Sequence, residues 1–433
     1  MPGRAIAFDL TRLITRLRHA RPSGIDRVDL AYARHYLSGD GARFGLVSTG
    51  LGPRVVEREA ALSIVDAVEA GWVEGTSAKD DPVYTGLLAR LDGGAAVPRS
   101  AAPGRAGRSE TFARRRLQAG TTLRALRAGG EERLPEGTLY LHTSHLRLDE
   151  PGRFDWLYGR KDIRPVFFVH DLIPITHPEY GREGEAARHA ARMATIARHA
   201  AHVIVNSADT AARFGEHLAR HALGRRPVTV APLGVEPAFR EREPAPSPFS
   251  HPVFVVCGTI ETRKNHMLLL NLWRDLAGRH GPDKTPRLVI VGRRGWEAEN
   301  VFDMLERCPA LHGPVLEVAG LTTPGLAGLM RAATALLMPS FVEGYGLPVV
   351  EAAASGLPVV ASDIPAHREV AEGFAHLLDP LDGLGWRSAV EALSAPSSGF
   401  RAKLKPKLER YEPPTWAAHF EGVDAMLERL AAA

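Results

Sequence analysis

Two glutamates in a glycine-containing stretch are the residues whose type and spacing most clearly indicate chemistry. Glu343 and Glu351, with seven residues between them, lie in 334–351, TALLMPSFVEGYGLPVVE. The apolar run at 335–338 predicts a short buried strand, and the glycines that follow predict a loop before a helix. A strand, a loop and a helix N-terminus in this order present free backbone N–H groups to an anion at the carboxyl edge of a sheet.

The two carboxylates themselves would repel phosphate, so we expect Glu343 and Glu351 to bind hydroxyl groups instead. A sugar and a ribose on either side of a diphosphate would supply those hydroxyl groups. The stretch therefore predicts a site for a ligand with phosphates in the middle and hydroxyl groups at both ends.

Two neighbouring cations follow another predicted strand. In GTIETRKNH, residues 258–266, Gly258 comes directly after the apolar run VFVVC and is followed by Arg263 and Lys264. Arginine can bind two phosphate oxygens at once, and lysine adds a compact charge. The alternative is a pair of solvated surface charges, but cations at a helix start are slightly unfavourable unless an anion offsets them. Their position therefore favours a phosphate ligand.

Two further loops are predicted at the same sheet edge. VGRRGW, 291–296, contains Arg293, and AGLTTPGLAGLM, 319–330, contains Leu321 before a Thr-Thr-Pro helix cap. Both loops could surround a nucleotide base through their backbone groups. Ordinary helix caps have the same pattern, so each signal is weak by itself, and Arg293 is a candidate ligand.

The first half of the chain offers fewer candidates. His170 and Asp171 end an apolar run in 167–180, where the histidine could hydrogen-bond a sugar hydroxyl in a cleft between domains. The alternative is a purely structural histidine. Gly24, in ARPSGIDRV, could let the backbone approach a phosphate, or it is an ordinary turn glycine.

Several familiar cofactor motifs are missing from the sequence. No G-x-G-x-x-G follows the first strand, which argues against a dinucleotide. There is no H-E-x-x-H, no Walker loop and no Asp-x-Asp pair that would hold a divalent metal against a diphosphate. We therefore expect no cofactor and no metal.

Twelve short apolar runs alternate with helical stretches, six in each half of the chain. Such strands predict parallel sheets covered on both faces, and hence an α/β fold of two doubly wound, Rossmann-like domains facing a cleft. The runs span 4–8, 44–48, 138–141, 165–170, 202–206 and 228–230 in the first half, and 253–257, 287–291, 315–318, 335–338, 358–361 and 375–378 in the second.

The proline-containing stretch 240–251 is the predicted linker. It separates an N-terminal domain, 1–239, from a C-terminal domain, 252–411. The remaining residues, 412–433, contain a predicted helix with Thr415 as its N-cap.

Length and composition are those of a globular protein with two domains. The 433 residues are 45% hydrophobic and 24% charged, and the formal net charge of +4 does not argue for nucleic acid. Cys257 and Cys308 form no disulfide framework and no metal motif. We see no signal peptide and no apolar run near the ~18–20 residues of a membrane span, so we expect a cytoplasmic protein.

Residues 99–133 do not fit this pattern. They contain nine arginines, no lysine and five glycines. Apolar residues at helix-like spacing could place a basic amphipathic helix on an anionic membrane, at its inner face: Phe112, Ala119, Leu123 and Leu126. The composition favours the alternative, a partly disordered excursion between strands.

Together these motifs resemble the retaining nucleotide-sugar glycosyltransferases of family four, which have the GT-B architecture. The resemblance rests on GTIETRKN, AGLTTPGLAGLM, PSFVEGYGLPVVEAAASGLPVVASDIPAHREV and the C-terminal helix that begins with tryptophan. It covers nearly all of 251–433, where Glu343 and Glu351 have the family's E-x7-E spacing. The first half is similar only through RPSGIDRV and VFFVHDLIP.

The resemblance implies a role for each main candidate. Arg263 and Lys264 would hold the donor diphosphate and stabilise the leaving nucleotide. Glu351 would bind the ribose hydroxyls, Glu343 would contact the donor sugar, and His170 would touch that sugar from the other domain. The phosphates or the sugar would also be reached by the backbone N–H groups of Tyr345, Gly346 and Leu347.

The same resemblance implies a metal-independent transfer of a hexose from a nucleotide-sugar donor to a glycan or lipid-linked acceptor. The acceptor would attack from the front face, and the leaving phosphate would take its proton. The final helix, within 412–433, would cross back to the first domain.

The donor and the function class leave alternatives open. DLIPITHPEY and SGIDRV resemble stretches in bacterial transferases that build surface polysaccharides, several of which use GDP-mannose. GDP-mannose is therefore the favoured donor and a UDP-sugar is possible. A nucleotide-sugar epimerase of the same fold and a non-catalytic sugar-nucleotide-binding protein are the other two functions.

Overall fold

A computed structural model of the chain shows two α/β units, each with one sheet. Unit 1 lies within 1–73, 105–234 and 416–433, and unit 2 within 74–104 and 235–415. The structure describes residues 4–17, 22–50, 52–72, 77–91, 115–116, 118–121, 128–241, 249–371, 373–395 and 397–432.

Unit 1 contains a seven-stranded sheet. Its strands are β1 (Ile6–Asp9), β2 (Arg43–Thr49), β3 (Gly52–Glu57), β4 (Leu139–His142), β5 (Arg164–Val169), β6 (His202–Val205) and β7 (Val228–Val230). They are ordered β3-β2-β1-β4-β5-β6-β7, and every neighbouring pair is parallel apart from β2 and β3. Parallel strands require crossover connections, which the helices of this unit supply.

The α-helices described in unit 1 are Thr11–Arg16, Gly24–Ser38, Arg58–Gly71, Trp156–Gly159, Ile173–Thr176, Glu185–His199, Ala208–Arg220 and Trp416–Ala432. Ser23 begins one of them with a capping box, because its side chain accepts from the backbone N–H of Asp26 while the Asp26 carboxylate accepts from that of Ser23. The core of the unit contains fully buried aromatic residues, among them Tyr140, Phe154, Phe167 and Phe214.

Unit 2 contains a six-stranded sheet in which every neighbouring pair is parallel. Its strands are β8 (Val253–Cys257), β9 (Arg287–Val291), β10 (Val315–Val318), β11 (Ala335–Met338), β12 (Val359–Ser362) and β13 (His376–Leu378). Their order is β10-β9-β8-β11-β12-β13. Because β8 and β11 are neighbours, the loops after these two strands leave the same edge of the sheet side by side.

The α-helices described in unit 2 are Pro82–Leu91, Pro237–Arg240, His266–His280, Glu299–Arg307, Thr323–Ala332, Leu347–Ala354, Pro365–Ala371, Gly383–Ser394 and Gly399–Glu409. Trp273 and Trp386 are fully buried in the core. Each indole N–H donates to a backbone carbonyl, of Pro286 at 2.7 Å and of Asp379 at 2.9 Å, which satisfies the polar end of the ring.

All twelve predicted strands are confirmed, and the fold is the predicted doubly wound α/β type. The prediction missed β3, which pairs antiparallel with β2. Its sequence, GPRVVE, has a short apolar pair behind a proline and resembles a turn. Proline is tolerated because β3 lies at the edge of the sheet.

The unit boundaries differ from the predicted ones. The predicted N-terminal domain was continuous over 1–239, but the described residues 77–91 belong to unit 2, and unit 2 resumes at 235, before the predicted linker. The carboxylate of Asp81 accepts from the backbone N–H of Thr322 at 2.7 Å and from that of Val83 at 2.8 Å. A buried aspartate thus fixes the starts of two helices, a contact across 241 residues that no local pattern announces.

The final helix, Trp416–Ala432, belongs to unit 1. Nδ1 of His419 donates to the Pro232 carbonyl at 2.8 Å, and Nε2 accepts from the Tyr32 hydroxyl at 2.7 Å. Phe420 stacks on His35 with ring centres 3.9 Å apart. Thr415 precedes this helix as predicted, and the chain therefore returns to unit 1 after completing unit 2.

The arginine-rich segment 99–133 lies mostly outside the described residues, so the amphipathic-helix hypothesis stays a prediction. At the end of the segment, Glu131–Arg133 forms a short 3-10 helix.

Candidate functional site

Glu343 is the centre of a buried charged cluster in unit 2. Its carboxylate binds Arg263 Nη1 at 2.7 Å, the Lys264 ammonium and the Ser340 hydroxyl, the last at 2.7 Å. The backbone N–H of Phe341 donates to the Arg263 carbonyl at 2.8 Å, which ties the loop after β11 to the loop after β8. The structure therefore brings Glu343 together with Arg263 and Lys264, two candidates that precede it by about eighty residues in the sequence.

A second carboxylate completes the charge balance of the cluster. Glu261, 3% exposed, binds Arg263 Nε at 2.6 Å. The two cations are thus offset by Glu261 and Glu343. The premise that Arg263 and Lys264 lack an internal anion was wrong, because the second loop supplies Glu343 and the first supplies Glu261.

Burial and neighbouring charges have opposite effects on the pKa values of Glu343 and Lys264. Burial by itself would raise the pKa of Glu343, but Arg263 and Lys264 hold it well below its ordinary value. Burial lowers the pKa of the Lys264 ammonium, although Glu343 opposes that shift. The ion pairs therefore keep Glu343 ionised inside the protein.

Two glycines allow the backbone to pack tightly beside Lys264. A Cβ atom at Gly258, whose φ is +138°, would lie 3.0 Å from Lys264 Cε. A Cβ atom at Gly292 would lie 1.8 Å from the Gly258 carbonyl oxygen, closer than any side chain can approach. The predicted candidate Gly258 thus lies against Lys264, and Gly292 is a packing residue that the sequence did not single out.

The glycine of the second loop begins a helix. Gly346 is the N-cap of Leu347–Ala354 in the left-handed conformation, with φ +97°. Tyr345 is buried and Leu347 opens the helix. Glu351 lies one turn further on and is 3% exposed. These four candidates lie in the predicted loop and helix, and their contacts with a ligand stay predictions.

Asn265 is the last residue of the Arg-Lys-Asn sequence 263–265, and its conformation and contacts account for an asparagine there. It has φ +54° and begins the helix His266–His280, a conformation that asparagine tolerates better than most residues. Its side-chain N–H donates to the Pro380 carbonyl at 3.0 Å. Asn265 therefore holds the first loop against the loop after β13.

The remaining candidates of unit 2 lie in loops at the same sheet edge. Arg293 is exposed, and its carbonyl accepts from the backbone N–H of Ile260 at 2.8 Å, beside the loop of Gly258. It is the next residue, Arg294, that binds Glu306 and Glu317. Leu321 is half-buried, just before the Thr322 cap that Asp81 holds.

The two candidates of unit 1 have different surroundings. His170 is 5% exposed at the end of β5, and its Nε2 lies 2.7 Å from the Thr143 carbonyl. Burial lowers the pKa of His170 to about 4, so the ring is neutral near pH 7. Gly24 is exposed, and a side chain there would meet nothing within 4 Å, so no packing in unit 1 requires glycine.

Sequence reasoning missed several residues that build the site: Glu261, Ser340, Asn265, Gly292 and Asp81. Glu261 and Ser340 lie inside quoted motifs, and their polarity next to Arg263 and Glu343 was the available signal. Asp81 carried no signal, because its partner is distant in the sequence.

Among the described residues, no group of three or more histidine, cysteine, aspartate or glutamate side chains is arranged to hold a metal ion. None of the described helices combines the length and the apolar character needed to span a membrane.

Comparison with known proteins supports a family for the second half. Residues 251–395 match the family described as Glycosyl transferases group 1. The serotype-specific mannosyltransferase WbdA of Escherichia coli is 31% identical over 229 residues, 48% of this chain and 27% of WbdA. The O-antigen chain mannosyltransferase B of Escherichia coli is 34% identical over 141 residues, 32% of this chain and 34% of that protein. The chain thus spans about a third or less of these two relatives.

Among solved structures, sucrose-phosphate synthase from Thermosynechococcus elongatus has a similar fold. The TM-score is 0.60 with 16% identity, and all of both chains is covered. That likeness concerns the fold alone. With two doubly wound units, the chain has the GT-B fold, and the segment 251–395 of its second unit is similar to the Glycosyl transferases group 1 family.

Proposed function

We propose that the chain is a retaining, metal-independent glycosyltransferase. It moves a hexose from a nucleotide-sugar to a glycan or lipid-linked acceptor. The observation that carries this proposal is the buried cluster in which Glu343 binds both Arg263 and Lys264, inside the family-matched segment.

The cluster suits the charge that develops during transfer. As the bond between the sugar carbon and the phosphate oxygen breaks, the leaving phosphate gains negative charge. Arg263 has a planar fork of N–H donors and Lys264 has three, so both can donate to a phosphate while keeping Glu343 as a partner. Removing one such donor from a preorganised site costs about 3 kcal/mol of transition-state stabilisation.

Glu343 has capacity for a sugar hydroxyl. An ionised carboxylate offers about four acceptor positions. Three of them are used by Arg263, Lys264 and Ser340. A hydroxyl of the donor sugar can take another, which places the sugar next to the phosphate-binding cations.

The acceptor hydroxyl then attacks the sugar carbon from the side that the phosphate leaves. Its proton passes to the departing phosphate oxygen, so no metal and no separate base are needed. Glu351 would bind the ribose, Arg293 and Leu321 the base, and backbone N–H groups of 345–347 the phosphates. His170 and Gly24 would act from unit 1.

The names of the relatives support mannose as the sugar. Both are mannosyltransferases, and one is named for the O-antigen chain. We therefore favour GDP-mannose as the donor and bacterial surface polysaccharide as the product, with a UDP-sugar as the second donor to test. The reaction would take place in the cytoplasm. Peripheral contact with the inner face of the membrane would require that 99–133 forms the amphipathic helix, which its composition disfavours.

A turnover assay tests the proposal. The protein is incubated in a metal chelator with GDP-mannose, GDP-glucose or UDP-glucose and short mannose oligosaccharides, and product and released nucleotide are quantified. We expect product from one donor, and proton NMR should show an anomeric configuration equal to that of the donor.

The matched variants are Arg263→Ala/Lys264→Ala and a control, Arg279→Ala/Lys284→Ala, which removes the same charges from exposed positions of unit 2. The first should lose turnover and the second should keep it. Turnover that needs an added divalent cation, inverted product, or equal rates in both variants would contradict the proposal.

A further inference from the structure

His367 is a buried histidine beside the candidate phosphate site. Its side chain is 0% exposed, and Nδ1 lies 3.0 Å from the Ser362 carbonyl oxygen. A carbonyl can only accept, so Nδ1 carries the hydrogen and Nε2 is the bare acceptor of the neutral ring. Nε2 is itself buried and has no hydrogen-bond partner among the residues that the structure describes.

The ring lies against the residue that begins the eight-residue helix Leu347–Ala354. A Cβ atom at Gly346 would be 3.1 Å from His367 Cδ2 and 3.6 Å from Nε2. The unpartnered nitrogen therefore lies close to the residue that begins this helix, where backbone N–H groups and the helix dipole favour an anion.

The charged groups that act on His367 belong to the same cluster. Glu343 favours the protonated ring and Lys264 disfavours it, while the Ser362 carbonyl also favours protonation. Burial outweighs these effects and lowers the pKa of His367 below its ordinary value. Without a ligand, the ring is thus held neutral.

Binding of a diphosphate would change this balance. A dianionic group near Arg263 and Lys264 adds negative charge within a few ångströms of Glu343, and nearby negative charge favours the protonated imidazole. Protonation would also make Nε2 a hydrogen-bond donor close to the start of the helix.

We propose that His367 takes up a proton from solvent when a nucleotide-sugar diphosphate binds, so that an imidazolium behind Gly346 becomes a third cation of the site. The inference rests on the proposed function, because it requires that a diphosphate binds there. His367 acts here as a positioning residue, since it touches the loop and not the reacting atoms.

Proton uptake has a measurable consequence. By linkage, donor affinity rises as pH falls through the window between the pKa values of His367 with and without ligand, by at most about tenfold per pH unit. The pH dependence should appear in the KM for the donor, and kcat at saturating donor should change less.

The test is calorimetric titration with GDP-mannose at about pH 6.5, in buffers with different ionisation enthalpies. Both phosphates of this ligand are diesters, so the ligand takes up no proton near neutral pH. The wild type should take up as much as about one proton on binding. His367→Asn keeps an N–H donor for the Ser362 carbonyl and should bind with little uptake. His280→Asn, an exposed control, should behave as the wild type.

The outcomes separate the inference from the function. Binding of GDP-mannose without proton uptake by the wild type would overturn the role of His367 and leave the donor site intact. Uptake that persists in His367→Asn would overturn it as well and indicate another group, such as His266. Absence of binding by the wild type would contradict both proposals.

A second measurement covers the case in which His367→Asn fails to fold. The imidazole of His367 can be titrated by NMR in the wild type, with and without GDP-mannose. Its pKa should rise on binding, and an unchanged pKa would overturn the inference.

Discussion

The carboxyl edges of the two sheets carry different chemistry. In unit 2, opposite charges meet in one buried cluster around Glu343. In unit 1, histidines take that place: the rings of His145 and His170 are centred 5.4 Å apart, and those of His145 and His189 5.0 Å apart. Burial lowers the pKa of all three, so these rings are neutral near pH 7.

A buried acid in unit 1 supports the same contrast. Asp29 accepts from the Thr143 hydroxyl at 2.7 Å, and Arg12 lies 3.6 Å from its other oxygen. Burial raises the pKa of Asp29 to about 7, in spite of Arg12. The charged cluster of unit 2 suits an anionic diphosphate, whereas the neutral histidines of unit 1 suit hydroxyl groups. The family match covers the charged cluster.

Among the substitutions that would disturb the charged cluster of unit 2, Gly292→Ala is expected to have the largest effect on stability. The new methyl would lie 1.8 Å from the Gly258 carbonyl, so the backbone beside Lys264 must move, at a cost of about 3 kcal/mol of unfolding free energy or more. Gly278→Ala is the control, because its methyl meets nothing within 4 Å and alanine favours the helix by about 0.5–1 kcal/mol. Urea denaturation compares the two, and equal stabilities would refute the tight packing.

Lys264→Ala should lose about 3 kcal/mol of transition-state stabilisation, so donor-dependent turnover should fall roughly a hundredfold. It should also raise the pKa of Glu343, because a buried carboxylate then loses one of its two cations. Turnover within a factor of a few of the wild type would show that Lys264 does not stabilise the leaving group. Lys284→Ala, an exposed lysine in the same unit, should leave turnover unchanged.

Acid should weaken unit 1 through its histidines. The folded pKa of His170, about 4, lies below its ordinary value of 6.5, so the unfolded chain binds a proton that the folded chain does not. Stability is therefore full above about pH 6.5 and falls, by at most about 1.4 kcal/mol per pH unit, down to about pH 4. His170→Asn should remove part of this slope in a series of denaturation curves. An unchanged slope would show that His170 titrates normally.

Asp81→Ala should have a smaller effect, a loss of about 1–2 kcal/mol of stability, because it removes the cap shared by two helix starts. Asp80→Ala is the control at an exposed neighbouring position. Thermal unfolding should give a lower melting temperature for Asp81→Ala than for Asp80→Ala. Equal melting temperatures would show that the hydrogen bonds of Asp81 to 77–91 and to the loop of Thr322 do not stabilise the protein.

Local patterns predicted most of the fold, because each buried parallel strand is a continuous apolar run. They failed for β3, whose proline and arginine are tolerated at a sheet edge, and for residues 77–91, whose contacts with unit 2 are distant in the sequence. Arg263, Lys264 and Glu343 could be placed at one sheet edge from strand endings. Their pairing with each other, and with Glu261 and Ser340, depends on side-chain geometry that spacing does not determine.

The most direct test of the central claim is calorimetric binding of GDP, UDP, ADP, dTDP and CMP without metal. It compares the wild type, Arg263→Ala/Lys264→Ala and the control Arg279→Ala/Lys284→Ala. The account predicts that one nucleoside diphosphate, GDP being favoured, binds the wild type and the control and loses at least tenfold in affinity for the first variant. Equal affinity for all three proteins, or no binding by the wild type, would contradict a diphosphate site at the charged edge of unit 2.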